Sequence, residues 1–220
     1  MISEIGFLEA VWPAPENIIA GTTLKLSGHS QGAYSAFNLG DHVGDNIDDV
    51  KKNRQLLIEA LNLPSEPCWL DQMHSATVIS EPSNERNLFG DASITRSAKK
   101  ICVVLTADCL PILITNKSGD TISAIHAGWR GLAAGIIENT IDAMQSNSNE
   151  LLVWLGPAIS QQAFEVGDDV RNVFLGVDDR NRLFFKANNS NRWQADLYGL
   201  AKLKLNHLGI KAIFGGNECT

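Results

Sequence analysis

A chain of 220 residues with 44% hydrophobic content can bury a substantial core in one unit, so neither disulfides nor a structural metal is needed to hold it folded. With 18 Lys and Arg against 25 Asp and Glu, the net charge of -7 excludes a partner held by phosphate counterion release, and no nucleic acid is expected. The opening MISEIGFLEAVWPAPE has no basic stretch leading into an apolar core, and no run approaches the roughly 18 apolar residues of a membrane span, so a cytoplasmic protein with no membrane partner is expected.

Apolar runs bounded by turn residues predict strands at residues 18–24, 68–70, 101–106, 112–115, 121–125, 151–155 and 211–214. Helical periodicity predicts helices at 47–61, where Asp48 and Asp49 suit the first turn, and at 132–144, 168–174 and 196–208. The polar stretch at 80–87 reads as a surface loop, and no repeat, low-complexity tract or linker divides the chain. Interleaved strands and helices predict an α/β sandwich, helices packed on a mixed β-sheet, as a single domain over residues 1–220.

Four cysteines, Cys68, Cys102, Cys109 and Cys219, are expected to stay reduced in a cytosolic chain. None forms a CxxC pair, which excludes zinc ribbons, ferredoxin-type clusters and thioredoxin chemistry, so a metal site must draw its ligands from distant segments. Three segments put a thiol or imidazole at the end of a predicted strand or in the turn after it: WLDQMHSATV, VVLTADCLPILI and SAIHAGWRGLAAG. Their candidates are His74, Cys109 and His126. One thiolate with two imidazoles suits zinc better than oxygen-loving magnesium or calcium, and three protein ligands leave a fourth position for a water. A lone His or Cys at a strand end is more often structural than ligating, and the flanking sequence is what favours the site here.

His126 is followed by Ala-Gly-Trp-Arg-Gly and a helical run, a tight strand-to-helix turn that presents backbone N–H groups at Gly128 beside the Arg130 guanidinium. That combination suits an anion, the plain alternative being a tight turn with a surface arginine. Asp108, directly before Cys109, can orient an imidazole ligand or accept a proton, or it can simply cap a turn. Cys68 and Cys102 read as core packing, His29 and His42 lie in a glycine-rich stretch able to form a loop over the site, and His207 sits late in a helix without a catalytic role.

The segments QMHSATV, TADCLPILI, AIHAGWRGLAAGI, VWLGPAI with AFEVG, NLGDHVGDN and IFGGNECT together resemble the bacterial laccase-domain family, also called the multicopper polyphenol oxidase or purine nucleoside phosphorylase family. The resemblance covers nearly the whole chain. It implies an α/β sandwich with zinc held by His74, Cys109 and His126, the same three residues that the chemistry selects. It further implies phosphorolysis of adenosine, inosine, guanosine and methylthioadenosine, with adenosine deamination alongside. On that basis Asp108 and Arg130 are assigned to catalysis, and Lys25, Asn38, Gly128 and Arg130 to substrate and phosphate binding. Expected partners are a purine nucleoside and inorganic phosphate, met by a monomer.

Two departures from the family pattern carry expectations. Lys25-Leu26-Ser27-Gly28-His29-Ser30 stands where the family carries an arginine followed by Gly-Gly-Val-Ser; a lysine keeps the charge without the bidentate fork, so looser orientation of phosphate or ribose is expected. The family pattern also continues past Cys219-Thr220 into an aromatic, arginine-rich end, so a chain ending at Thr220 is expected to lack part of the site wall and to be less active. Among rival readings, a laccase with a trinuclear copper cluster needs many imidazoles, whereas five histidines and no His-x-His pair leave copper only as a substitute at the same three ligands, with weak phenol oxidation. A zinc amidase editing a peptidoglycan precursor is a second alternative. A purely structural zinc is disfavoured because no fourth Cys or His clusters with the three.

Overall fold

The computed structural model of the chain describes residues 5–83 and 88–220. Near the N-terminus, β1 (Phe7–Glu9) pairs antiparallel with β2 (Gly21–Thr23), and helix α1 (Ile47–Ala60) follows. Asn46 caps α1 by accepting from the Asp48 N–H, and Asp48 and Asp49 lie in its positive first turn. Next come β3 (Val78–Ser80), β4 (Ala92–Thr95), β5 (Leu110–Asn116) and β6 (Ile122–Ala127), then helices α2 (Trp129–Ala134) and α3 (Ile136–Met144). The remainder runs β7 (Leu151–Leu155), β8 (Glu165–Val166), α4 (Asp168–Val177), β9 (Phe185–Ala187), β10 (Trp193–Ala195), α5 (Leu197–His207) and β11 (Ile213–Gly215). Of the predicted loop at 80–87, Ser80 instead closes β3, and residues 84–87 lie outside the described residues.

A six-stranded mixed sheet in the order β11-β7-β5-β6-β4-β3 organises the fold, as the interleaved sequence pattern predicts. Its register fixes what each face carries, because side chains alternate along a strand. Ala92 and Ile94 lie opposite Ile125 and Ser123, and Ile112 lies opposite both Ile125 and Leu155. The apolar positions among these, with Leu110, Ile114, Leu151 and Val153, form the core against the helices. The helix α3 meets them with Ile136, Ile137, Thr140, Ile141 and Met144, the one-sided spacing of an amphipathic helix. Each such aliphatic side chain contributes about 1.5–3 kcal/mol through burial. The other sheet face carries Ser93, Leu113, Ala124, Trp154 and His126, paired across neighbouring strands. A smaller sheet, β8-β10-β9, and a second apolar cluster around Ile5, Phe37, Leu39 and Leu57 complete the packing.

Three predicted elements are corrected. The single helix expected at 132–144 is two helices, because Gly135 takes the left-handed conformation (φ 94°) that ends α2 and starts α3. The strand expected at 101–106 is reduced to a bridge between Cys102 and Cys68, since Leu105 bonds a side chain instead of a strand. The strand at 68–70 is likewise only that bridge. No helix among the described residues is long and apolar enough to cross a membrane.

Candidate metal centre

Antiparallel pairing places the start of β5 beside the end of β6, with Leu110 opposite Ala127, and the start of β4 beside it, with Ala92 opposite Ile125. Cys109 enters β5, His126 is the penultimate residue of β6, and Asp91 precedes β4, so three central strands deliver polar side chains to one end of the sheet. His74 arrives from the segment before β3. The donor atoms of His74, Cys109 and His126 all lie within 4.8 Å of one another. His74 Nε2 is 3.9 Å from Cys109 Sγ, and the two imidazole rings meet edge-on at 4.7 Å between centroids. Tetrahedral zinc, with bonds of about 2.0–2.3 Å, wants such donors roughly 3.5 Å apart, so small rotamer adjustments suffice. His126 is buried, Cys109 half-buried and His74 exposed, which leaves the solvent side of the group open.

Asp91 organises this centre and was missed by the sequence reading. Its fully buried carboxylate accepts from the backbone N–H groups of Met73 (3.2 Å), His74 (2.9 Å) and Ser75 (2.7 Å) and from the Ser75 hydroxyl (2.7 Å). The same carboxylate is 2.8 Å from His126 Nδ1, so a proton on Nδ1 directs the lone pair of Nε2 toward the group. His74 has φ 57°, a left-handed backbone that costs a residue with a Cβ about 1–2 kcal/mol. The ring of N–H bonds to Asp91 holds that turn. The only sequence signal for Asp91 is an acid between Gly90 and the short buried strand Ala-Ser-Ile-Thr, which reads more simply as a turn.

Charge follows the same geometry. Burial works against ionisation of Asp91, but hydrogen bonds from His126, Ser75 and the backbone outweigh it and hold the carboxyl well below the usual range. Burial likewise opposes a charged His126, and bonds to Asp91 and Cys109 overcome it, raising the imidazole from 6.5 to about 9. His74 moves the other way, lowered by burial, by His126 and by the nearby Arg130 cation. In the metal-free protein the His126 contribution to stability is therefore complete below pH 6.5 and is lost as pH rises through about 9. Asp91 has the opposite sign, contributing above its unfolded pKa near 3.8 and losing that only on strong acidification. Thermal unfolding in chelator is expected to show a midpoint falling between pH 6.5 and 9; a flat profile would contradict the Asp91–His126 pair.

Gly128 is buried at the end of β6, where a Cβ would lie 2.9 Å from Cys109 Sγ and 3.0 Å from His74 Cδ2. A side chain there must displace two donors, which explains the glycine. Gly128→Ala is expected to weaken metal binding at least tenfold while secondary structure persists, as metal-buffer titration and circular dichroism would show.

The remaining sequence candidates have definite places. Arg130 is exposed, with its guanidinium 4.4 Å above the Trp129 ring and its charge acting on His74. Asp108 accepts from the Thr220 hydroxyl (2.9 Å) through its side chain and from the Ile159 N–H (2.9 Å) through its carbonyl, and it is Asp91 rather than Asp108 that orients His126. Lys25 is exposed just past β2. Asn38 is committed within its loop, donating to Asp45 and to the Gly40 carbonyl and accepting from the Gly40 N–H. Buried Asn53 ties that loop to α1 through His29, Ser30, Ala36 and Asn38. His29 and His42 are both exposed, and His207 lies 3.8 Å from Asp178. Burial pushes the Cys102 thiol up to about 11, in keeping with a packing role.

The chain resembles known proteins over nearly all its length. A Haemophilus influenzae purine nucleoside phosphorylase is 46% identical over 211 residues, 95% of this chain and 86% of the relative. The Escherichia coli purine nucleoside phosphorylase YfiH is 42% identical over 212 residues, again 95% of this chain and 86% of the relative. A crystal structure of a Neisseria meningitidis protein superposes with TM-score 0.92 at 43% identity, covering 97% of this chain and 88% of that one. YlmD from Geobacillus stearothermophilus follows at TM-score 0.87 and 27% identity, covering 97% of this chain and 86% of that one. The family model described as multi-copper polyphenol oxidoreductase laccase matches residues 19–220, and the chain belongs to that family.

Proposed function

We propose that the chain is a zinc-dependent purine nucleoside phosphorylase, releasing free base and ribose 1-phosphate from adenosine, inosine, guanosine and methylthioadenosine, with adenosine deamination at the same centre. The observation that carries this reading is the open group His74, Cys109 and His126, whose orientation is fixed by buried Asp91. Relatives at 42–46% identity that are named purine nucleoside phosphorylase support the substrate class. Zinc bound by these residues supplies Lewis acidity and acidifies water toward neutral pH. Arg130 and the backbone at Gly128 take the phosphate, and Asp108 beside Cys109 handles the proton. Lys25 acts on the substrate side, and Asn38 acts there through the loop it fixes.

Product analysis tests the reading. Metal-loaded protein incubated with adenosine, inosine or a muramoyl peptide precursor, each with and without phosphate, is expected to release free base only from the nucleosides and only with phosphate, and ammonia from adenosine without it. Consumption of the muramoyl precursor alone would replace the reading with an amidase. Within the purine reading, Arg130→Ala is expected to depress phosphorolysis ten- to a hundredfold, about 1.5–3 kcal/mol for a lost charge-assisted contact, and to spare deamination. Equal losses in both reactions, in a variant that keeps its zinc, would make Arg130 a pocket-shaping residue.

A further inference from the structure

We infer that Gln72 is a positioning residue that sets the spacing between the two ligand-bearing segments, and so the geometry of the metal centre; this rests on the metal reading above. Its side-chain amide makes two hydrogen bonds to one residue's backbone. Nε2 donates to the Leu105 carbonyl at 2.8 Å, and Oε1 accepts the Leu105 N–H at 2.7 Å. This pairing mimics a rung of a β-ladder, built from a side chain where residues 101–106 form no strand. Gln72 stands two residues before His74, and Leu105 stands four before Cys109.

Each ligand segment is also anchored to the central sheet, at a different strand. The His74 turn hangs from Asp91 at the start of β4. The Cys109 turn is held at the Asp108 carbonyl by Ile159, at the Asp108 carboxylate by Thr220, and at Leu110 by β5 pairing with β6. Those anchors relate His74 to Cys109 through the strands β4, β6 and β5, and the Cys68–Cys102 bridge joins the two segments farther from the ligands. The Gln72–Leu105 pair joins the two segments next to their ligands, two residues before His74 and four before Cys109, whose Nε2 and Sγ lie 3.9 Å apart. Asn is too short by one methylene to reach both Leu105 groups, and Glu at neutral pH accepts from the N–H but sets a charge against the carbonyl.

The test is metal affinity and the electronic spectrum of the cobalt-substituted protein, alongside unfolding of the metal-free protein. Gln72→Ala and Gln72→Asn are expected to weaken zinc binding about ten- to a hundredfold, the range for residues that orient metal ligands. Gln72→Glu is expected to fall between them and the parent. In Gln72→Ala and Gln72→Asn the thiolate-to-cobalt band should shift or broaden, while the unfolding midpoint in chelator moves little. Parent-like zinc affinity and an unchanged cobalt spectrum would overturn the inference. So would a loss of affinity that merely tracks unfolding of the metal-free protein, which would make Gln72 a fold residue. If the parent binds neither zinc nor cobalt, the metal reading itself has failed, and the inference with it.

Discussion

Cys109→Ala is expected to remove both the metal and nucleoside turnover. The thiolate is the softest of the three donors and the one that most favours zinc over oxygen-seeking cations, so two imidazoles alone should hold zinc too weakly to survive desalting. Elemental analysis should find about one zinc per chain in the parent and almost none in the variant, with activity down by more than about a hundredfold. Cys109 is half-buried and packs against Gly128 without contributing to the main apolar core. Unfolding in chelator should therefore be close to the parent's, which separates loss of metal from loss of fold. A Cys109→Ala protein that retained zinc and turnover would show that the metal is held elsewhere.

The second large effect is expected at Asp91. Asp91→Ala strips acceptors from three consecutive backbone N–H groups, a hydroxyl and the His126 ring, all around a site with 0% exposure. Leaving those donors unpaired should destabilise the protein by about 3–5 kcal/mol and release the left-handed His74 turn. Asp91→Asn keeps the shape but turns an NH2 group toward donors, so it should lose less stability and still bind zinc more weakly. Denaturant unfolding in chelator and zinc competition together check both variants. Parent-like zinc affinity in Asp91→Ala would mean that the ligands hold their orientation without it.

The contrast between Cys109 and Asp91 shows what the sequence makes legible. His74, Cys109 and His126 could be picked out because their chemistry is rare and each sits where a strand pattern meets a turn. Asp91 has no such mark, because its importance comes from neighbours 16 to 35 positions away. Long buried elements were equally readable: the strand expected at 151–155 matches β7, and the helices expected at 47–61 and 196–208 match α1 and α5 within a residue. The strand β4 was missed because four buried residues carry little periodicity, and β8, β9 and β10 are only two or three residues long. At 101–106 the apolar alternation is genuine, yet the Leu105 ladder partner is the Gln72 side chain. Gly135, read as one more residue in a helical run, divides that helix because a left-handed residue there turns α3 onto the sheet.

The most direct measurement is reconstitution of chelator-stripped protein with increasing zinc, following phosphate-dependent release of hypoxanthine from inosine. Activity is expected to rise in proportion to zinc and to level off near one equivalent per chain, with Cys109→Ala flat throughout. Full activity in the stripped protein, or saturation with zinc that yields no phosphate-dependent hypoxanthine, would contradict a zinc-centred purine nucleoside phosphorylase.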